Sequence, residues 1–421
     1  MYRYTEPDAE PSGPPSGFHR DAPTLLSYGG VACYAFWLYA FGPALALLRA
    51  ERHFSYTLVG GYSAIWSAGA VLSGAGFSLV ARRLPRAALL WSSVLVASVG
   101  AGLFAIGPGV ALTFLGAGVL GVAGTTLLTI VQAVLSDRHG ERRDRALTEA
   151  NVGAGGCAVV APLALGALSG LPGGWRLAFA LPVLGFATLY LRYRSEPVPA
   201  PPVSSAADQR GRLPRASWLF VVLVALGMAV EFCLVYFGAE QLTGAGLSTA
   251  AAATAMSSFY LGILAGRIAG AVLARRPGRS GPLLLASLAV TAGGILLFWL
   301  GAAAWVAVVG LLVAGLGVAN LYPLSLARAL DTAPGQEDRA NARTQLLGGV
   351  LVVVAPYLLG ALADRLGLTA AFAIVPVLVG LCLVLLVAGQ RTARGAREPA
   401  VSSRPVRQQD EVVCTNRPLE S

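Results

Sequence analysis

Lysine is missing from the 421-residue chain; all 31 basic side chains are arginine. Neither a P-loop lysine nor a Schiff-base lysine can therefore exist, which excludes an ATP-driven motor carried by this chain. Histidine is nearly absent. His19, His53 and His139 fall outside the apolar stretches without metal-ligand spacing, and no nucleophile–base pairing is readable. No metal site, cofactor or enzymatic centre is expected. Of five cysteines, Cys33, Cys157, Cys233 and Cys382 sit in apolar stretches, where a thiol acts as a small hydrophobe. Charge is also scarce, at 12% of residues, against about 25% in soluble domains.

What remains is hydrophobic: 56% of residues, gathered into twelve apolar segments between residues 25 and 389. Each approaches the ~20 residues that cross a bilayer as a helix. Lipid offers backbone groups no partners, so helices are required. The expected fold is all-α and polytopic, with twelve transmembrane helices in two pseudo-symmetric six-helix bundles. Residues 24–193 and 217–389 form the bundles, joined by a Pro/Ser/Arg-rich linker at 194–216. Residues 1–23 lack the basic start and cleavage site of a signal peptide; with 390–421 they read as disordered tails.

Placing both termini on one side puts 26 of the 31 arginines there, leaving Arg49, Arg52, Arg176 and Arg365 opposite and Arg267 within a helix. This asymmetry is the positive-inside signal, so both termini are expected to be cytoplasmic. The net charge of +10 is then a topology signal, and nucleic acid is not expected as a partner.

The halves repeat. Ala161-Pro162-Leu163-Ala164-Leu165-Gly166-Ala167-Leu168 returns 194 residues later as Ala355-Pro356-Tyr357-Leu358-Leu359-Gly360-Ala361-Leu362. Asp144-Arg145-Ala146 returns at the same offset as Asp338-Arg339-Ala340, and basic turns recur at Arg82, Arg83 and Arg86 and at Arg275, Arg276 and Arg279. Ordered matches at spacings of 193 to 194 residues point to two copies of one unit.

Inside the seventh segment, WLFVVLVALGMAVEFCLVYF, stands one ionisable residue, Glu231. An acid at that depth costs about 2.5–3.5 kcal/mol, so it is expected to face a cavity or partner. The eighth segment carries Arg267 beside a stripe of small residues, Ser258, Gly262, Gly266 and Gly270, which admits a close helix neighbour. Glu231 lies roughly 10 Å deeper than Arg267, so water or an anionic substrate is expected between them. The first segment offers Tyr34 and Trp37 on one face, the seventh Tyr236, the tenth Asn320 and Tyr322. Pro162, Pro323 and Pro356 are expected helix kinks.

In its twelve segments, repeat and central loop, the chain resembles a major facilitator superfamily transporter over about residues 25–389. The family motif G-x-x-x-D-R-x-G-R-R between helices 2 and 3 is degenerate: Ser78 replaces the first Gly, Arg82 the Asp and Pro85 the second Gly, while Arg83 and Arg86 remain basic. The fifth-helix antiporter motif ending G-P-x-x-G-G is similar to Gly153 through Gly166, with Ala161 before Pro162. The fourth helix, GVLGVAGTTLLTIVQAVL, lacks the embedded Arg of many proton–drug antiporters.

The resemblance implies that helices 1, 4, 7 and 10 line a cavity and that helices 2, 5, 8 and 11 form the moving interface. It implies alternating access for a small molecule in the cytoplasmic membrane, by a monomer, with Glu231 as the proton-coupling group. Tyr34, Trp37, Glu231, Tyr236, Arg267, Asn320 and Tyr322 are the expected substrate contacts, and the six loop arginines the cytoplasmic gate. Proton-coupled efflux of an amphipathic compound is the first expectation. Proton-coupled uptake of a sugar, organic acid or similar nutrient is the alternative, and a non-transporting sensor or scaffold the remote third.

Overall fold

A computed structural model describes residues 18–196, 212–273, 280–301 and 303–395, and is built of helices. The first half holds α1 (Ala22–Arg52), α2 (Tyr56–Ala81), α3 (Arg86–Ile106), α4 (Val110–His139), α5 (Arg143–Leu168) and α6 (Arg176–Tyr193). The second holds α7 (Arg215–Gly244), α8 (Thr249–Leu273), α9 (Ser280–Leu300), α10 (Ala304–Val318) and α11 (Leu321–Asp331). It continues with α12 (Glu337–Leu366), the single turn α13 (Leu368–Ala371) and α14 (Ile374–Gly395). With α10 and α11 counted as one crossing, the described residues make twelve.

Short loops force successive crossings to alternate, so the start of α1 and the end of α14 share one side. We call it the tail side and the opposite one the far side. Within the first bundle α1 packs on α5 and α6, α4 on α2 and α3, and α3 on α6. In the second, α7 packs on α12 and α14, α10 on α8 and α9, and α9 on α14. Each pair in one bundle has its counterpart six crossings on, as the internal repeat requires. The bundles meet along two equivalent seams, α2 on α12 and α5 on α8, with α1 against α7 between them.

The repeated Ala-Pro-x-x-x-Gly segments lie on those seams. A Cβ on Gly166 would collide with Thr254 of α8, and one on Gly360 with the Tyr56 carbonyl of α2. Pro162 and Pro356 are buried inside helices that run on through them. The α8 small-residue stripe admits α10: Cβ atoms on Gly262 and Gly266 would strike the Leu312 and Leu316 carbonyls, and the Ser258 hydroxyl donates to the Val308 carbonyl at 3.3 Å. The expected kink at Pro323 becomes a break. Ala319 and Asn320 form a turn between α10 and α11, just ahead of the residue that cannot donate to the preceding helix.

Other boundaries differ from the sequence expectation. Residues 18–21, assigned to a disordered tail, are placed on the first bundle. Phe18 stacks on His139 at 4.6 Å and Arg20 pairs with Glu149 at 2.8 Å. Asp21 caps α1, accepting from the Thr24 amide at 3.1 Å. Burial alone raises its carboxyl pKa, but hydrogen bonds from Thr24 and Arg138 outweigh that and hold it below the ordinary value. At the other end, α14 runs past residue 389 to Gly395, carrying Arg391 and Arg394 on long apolar stems toward the tail side.

Candidate functional site

The far side is closed. On α1, Gly42 lies so near α7 that a Cβ would strike the Val235 carbonyl. Two turns nearer the end, Arg49 pairs with Glu240 of α7 at 3.1 Å, and its guanidinium lies 3.7 Å from the centroid of the Tyr56 ring. Asp364 of α12 reaches across to α2, accepting from the Tyr56 and Thr57 amides, both at 2.8 Å, and from the Thr57 hydroxyl. The start of a helix carries unpaired N–H groups and positive potential, so this carboxylate is an N-cap supplied by the opposite bundle. On the other seam the Ser257 hydroxyl of α8 donates to the Val159 carbonyl of α5 at 3.0 Å.

Beneath this roof the bundles separate around a cavity with two compartments. One, of about 610 Å³, is lined by Tyr34, Leu38, Trp66, Phe232, Met228 and Val352 among others. Besides the polar tips of Tyr34 and Trp66, Ser67, Thr125 and Gln345 bring polar side chains to it. The second, of about 530 Å³, includes Glu231, Arg267, Thr148, Asn151, Asn320 and Tyr322. Met228 and Phe232 belong to both walls, so the compartments adjoin along α7. Such volumes suit a small organic molecule.

Glu231 is half-buried and faces the polar compartment. Arg267 lines the same wall and is exposed, and no ion pair joins the two among the described residues. Tyr34 lines the aromatic compartment, its hydroxyl 3.5 Å from that of Thr125. Asn320 donates to the Gly266 carbonyl at 3.0 Å while presenting its edge to the cavity, so it pins α8 to the helix break and lines the site at once. Tyr322 accepts from Gln345 at 3.2 Å.

Trp37 and Tyr236 require correction as cavity contacts. Trp37 is 0% exposed; its indole donates to the Phe179 carbonyl at 3.0 Å and packs on Phe186, inside the first bundle. The three-residue step from Tyr34 rotates it ~60° off the cavity face. Tyr236, 1% exposed, stands edge-on to Phe41 in the roof between α1 and α7. Of the loop arginines, Arg86 pairs with Asp137 at 2.8 Å within the first bundle, and Arg82 and Arg83 are exposed. Arg275, Arg276 and Arg279 lie outside the described residues.

Several lining residues went unread in the sequence. Thr148 and Asn151 stand three residues apart on one face of α5, and that spacing was a signal. Met228 is one turn before Glu231 on the same face. Trp66 and Gln345 gave none, because single polar or aromatic residues occur on every face of these helices.

Two packed six-helix bundles, with seams on either side of a central cavity, define the architecture of a membrane transporter. Residues 28–337 and 246–419 match the family model of the Major Facilitator Superfamily, and the chain belongs to that family. No curated protein sequence matches it. Among solved structures it is similar to a bacterial homologue of the human lysosomal transporter Spinster, inward-facing and unoccupied. The two are 15% identical with a TM-score of 0.66, over 89% of this chain and 97% of that one. The nucleoside transporter NupG is 14% identical with a TM-score of 0.68, over 88% and 98%. A mutant of the peptide transporter POT is 16% identical with a TM-score of 0.68, over 88% and 95%. At these identities the likeness is one of fold.

Proposed function

We propose that the protein is a proton-coupled secondary transporter that exports a small amphipathic molecule across the cytoplasmic membrane as a monomer, by alternating access. The observation that carries this reading is a half-buried carboxylate, Glu231, facing the polar compartment of a cavity between two bundles whose adjoining compartment is largely apolar and aromatic. The arginine asymmetry supports a cytoplasmic tail side, so the open cavity faces inward. Glu231 takes a proton on one side and releases it on the other, and the bundles rock between the two exposures. One charge crossing 100 mV supplies about 2.3 kcal/mol for this cycle.

The test uses proteoliposomes and a panel of amphipathic dyes and metabolites. Glu231→Gln is expected to abolish gradient-driven accumulation of whichever compound the parent protein moves, while leaving gradient-independent exchange. Undiminished accumulation in Glu231→Gln would sink the coupling role. Uptake is the second reading, favoured by the polar corner formed by Arg267, Asn151, Asn320 and Tyr322. The direction of proton-driven flux in oriented vesicles separates the two.

A further inference from the structure

The inference rests on the transporter reading of the central cavity and extends it to the kind of molecule carried and its route. A cleft of about 200 Å³ lies in the α5–α8 seam. Thr148, Asn151, Arg267 and Ala271 line both it and the polar compartment, so the two are continuous. The cleft is also lined by Val152 and Ile268, which are 61% and 60% exposed.

Those two residues point outward. Val152 begins a row of exposed residues on α5 that continues through Gly156, Val160 and Leu163; Ile268 belongs to a row on α8 with Leu261, Ala265 and Val272. Both rows keep the helical period, so each marks one face. Toward the far side the seam between them is shut by the Ser257–Val159 bond and by Gly166 against Thr254. Exposed apolar side chains at that level meet lipid, and Val152 and Ile268 share their faces. The cleft therefore runs from the bilayer to the central cavity.

At its head lies Tyr260, 1% exposed, its ring edge-on to Tyr39 at 4.9 Å. Its buried hydroxyl has no hydrogen-bond partner among the described residues. A buried hydroxyl left unpaired keeps the cost of its lost hydration with nothing to offset it. This free donor and the Arg267 guanidinium line one cleft, whose other polar side chains are Tyr39, Thr148 and Asn151, and an oxyanion would satisfy both. We infer that the α5–α8 cleft is a lateral portal, through which an amphipath with an acidic oxyanion head and an aliphatic tail passes between the bilayer and the cavity. Arg267 and Tyr260 hold the head as it passes.

The test measures the time course of binding and its equilibrium level for the full chain in phosphatidylcholine nanodiscs, with no gradient. The probes are a dansyl-labelled undecanoate and its methyl ester. The acid is expected to bind saturably, and the ester and Arg267→Ala each to show about tenfold weaker binding, with Arg267→Lys recovering part. Tyr260→Phe is expected to weaken binding about threefold. Dodecanoate and dodecyl phosphate compete, and butyrate does not. Val152→Trp slows loading. Equal binding of acid and ester, or full binding in Arg267→Ala, overturns the head site. Butyrate competing as well as dodecanoate, or unchanged loading in Val152→Trp, overturns the lateral route. Full transport in Glu231→Gln would overturn the coupling reading and leave these outcomes standing.

Discussion

Nine residues separate Glu231 from Glu240, which is ~180° around a helix, so the two acids of α7 look in opposite directions. Glu231 meets the cavity, whereas Glu240 meets Arg49 in the roof. The Glu240 side chain is 7% exposed and that of Arg49 is 25% exposed, so removing one partner strands a largely desolvated charge. Glu240→Ala is expected to cost the far-side-closed state about 1–3 kcal/mol, seen as a melting temperature several degrees lower, with Glu240→Gln in between. Identical melting curves for all three would mean the pair contributes nothing. At this scale the sequence was partly legible. Glu231 stood out because thirteen residues of its apolar run precede it. Glu240 did not, because an acid near the end of a segment reads as interfacial, and its partner lies 191 residues away. Trp37 was misplaced because a three-residue spacing fixes a face only to within ~60°.

At the level of helices, the repeat carried more information than its composition suggested. It announced two equivalent bundles, and it marks the contacts that join them. Offset by 194 residues, Gly166 and Gly360 each face the early turns of a helix in the other bundle, α8 in one case and α2 in the other. Neither position tolerates a side chain while the far side is closed. Gly166→Leu and Gly360→Leu are therefore expected to act alike, prising the far side open. Spin labels at Ile106 and Leu300, exposed and themselves 194 residues apart, report this in a background without native cysteines. Their mean distance should lengthen in both variants. A change in one variant alone would show that the seams are not equivalent. The break in the tenth crossing was less legible. Pro323 signalled a disturbance, but whether a helix bends or parts depends on what receives the freed groups, and here the Asn320 side chain ties the break to α8.

For the whole molecule, the balance between tail-open and far-open states depends on which side holds the stronger ties between bundles. The acid that the family motif carries between α2 and α3 is replaced by Arg82 on the tail side. On the far side Asp364 caps the start of α2 from the opposite bundle. This cap exists only while α2 and α12 are together at that end, so its full value counts toward the tail-open state. A side-chain N-cap is worth about 0.5–2 kcal/mol, and Asp364 serves two amides and a hydroxyl. Losing it should shift the ratio of states about eight- to thirty-fold toward far-open, taking the upper half of that range. Asp364→Ala is therefore expected to add a long-distance population between labels at Ile106 and Leu300, with Asp364→Asn adding less because one acceptor oxygen remains. The melting temperature should fall less than for Glu240→Ala, since no buried charge is stranded. If the distance distribution of Asp364→Ala matches that of the parent protein, the cap does not set the resting state. The α1–α7 contacts at Gly42 and Arg49 would then carry that role instead.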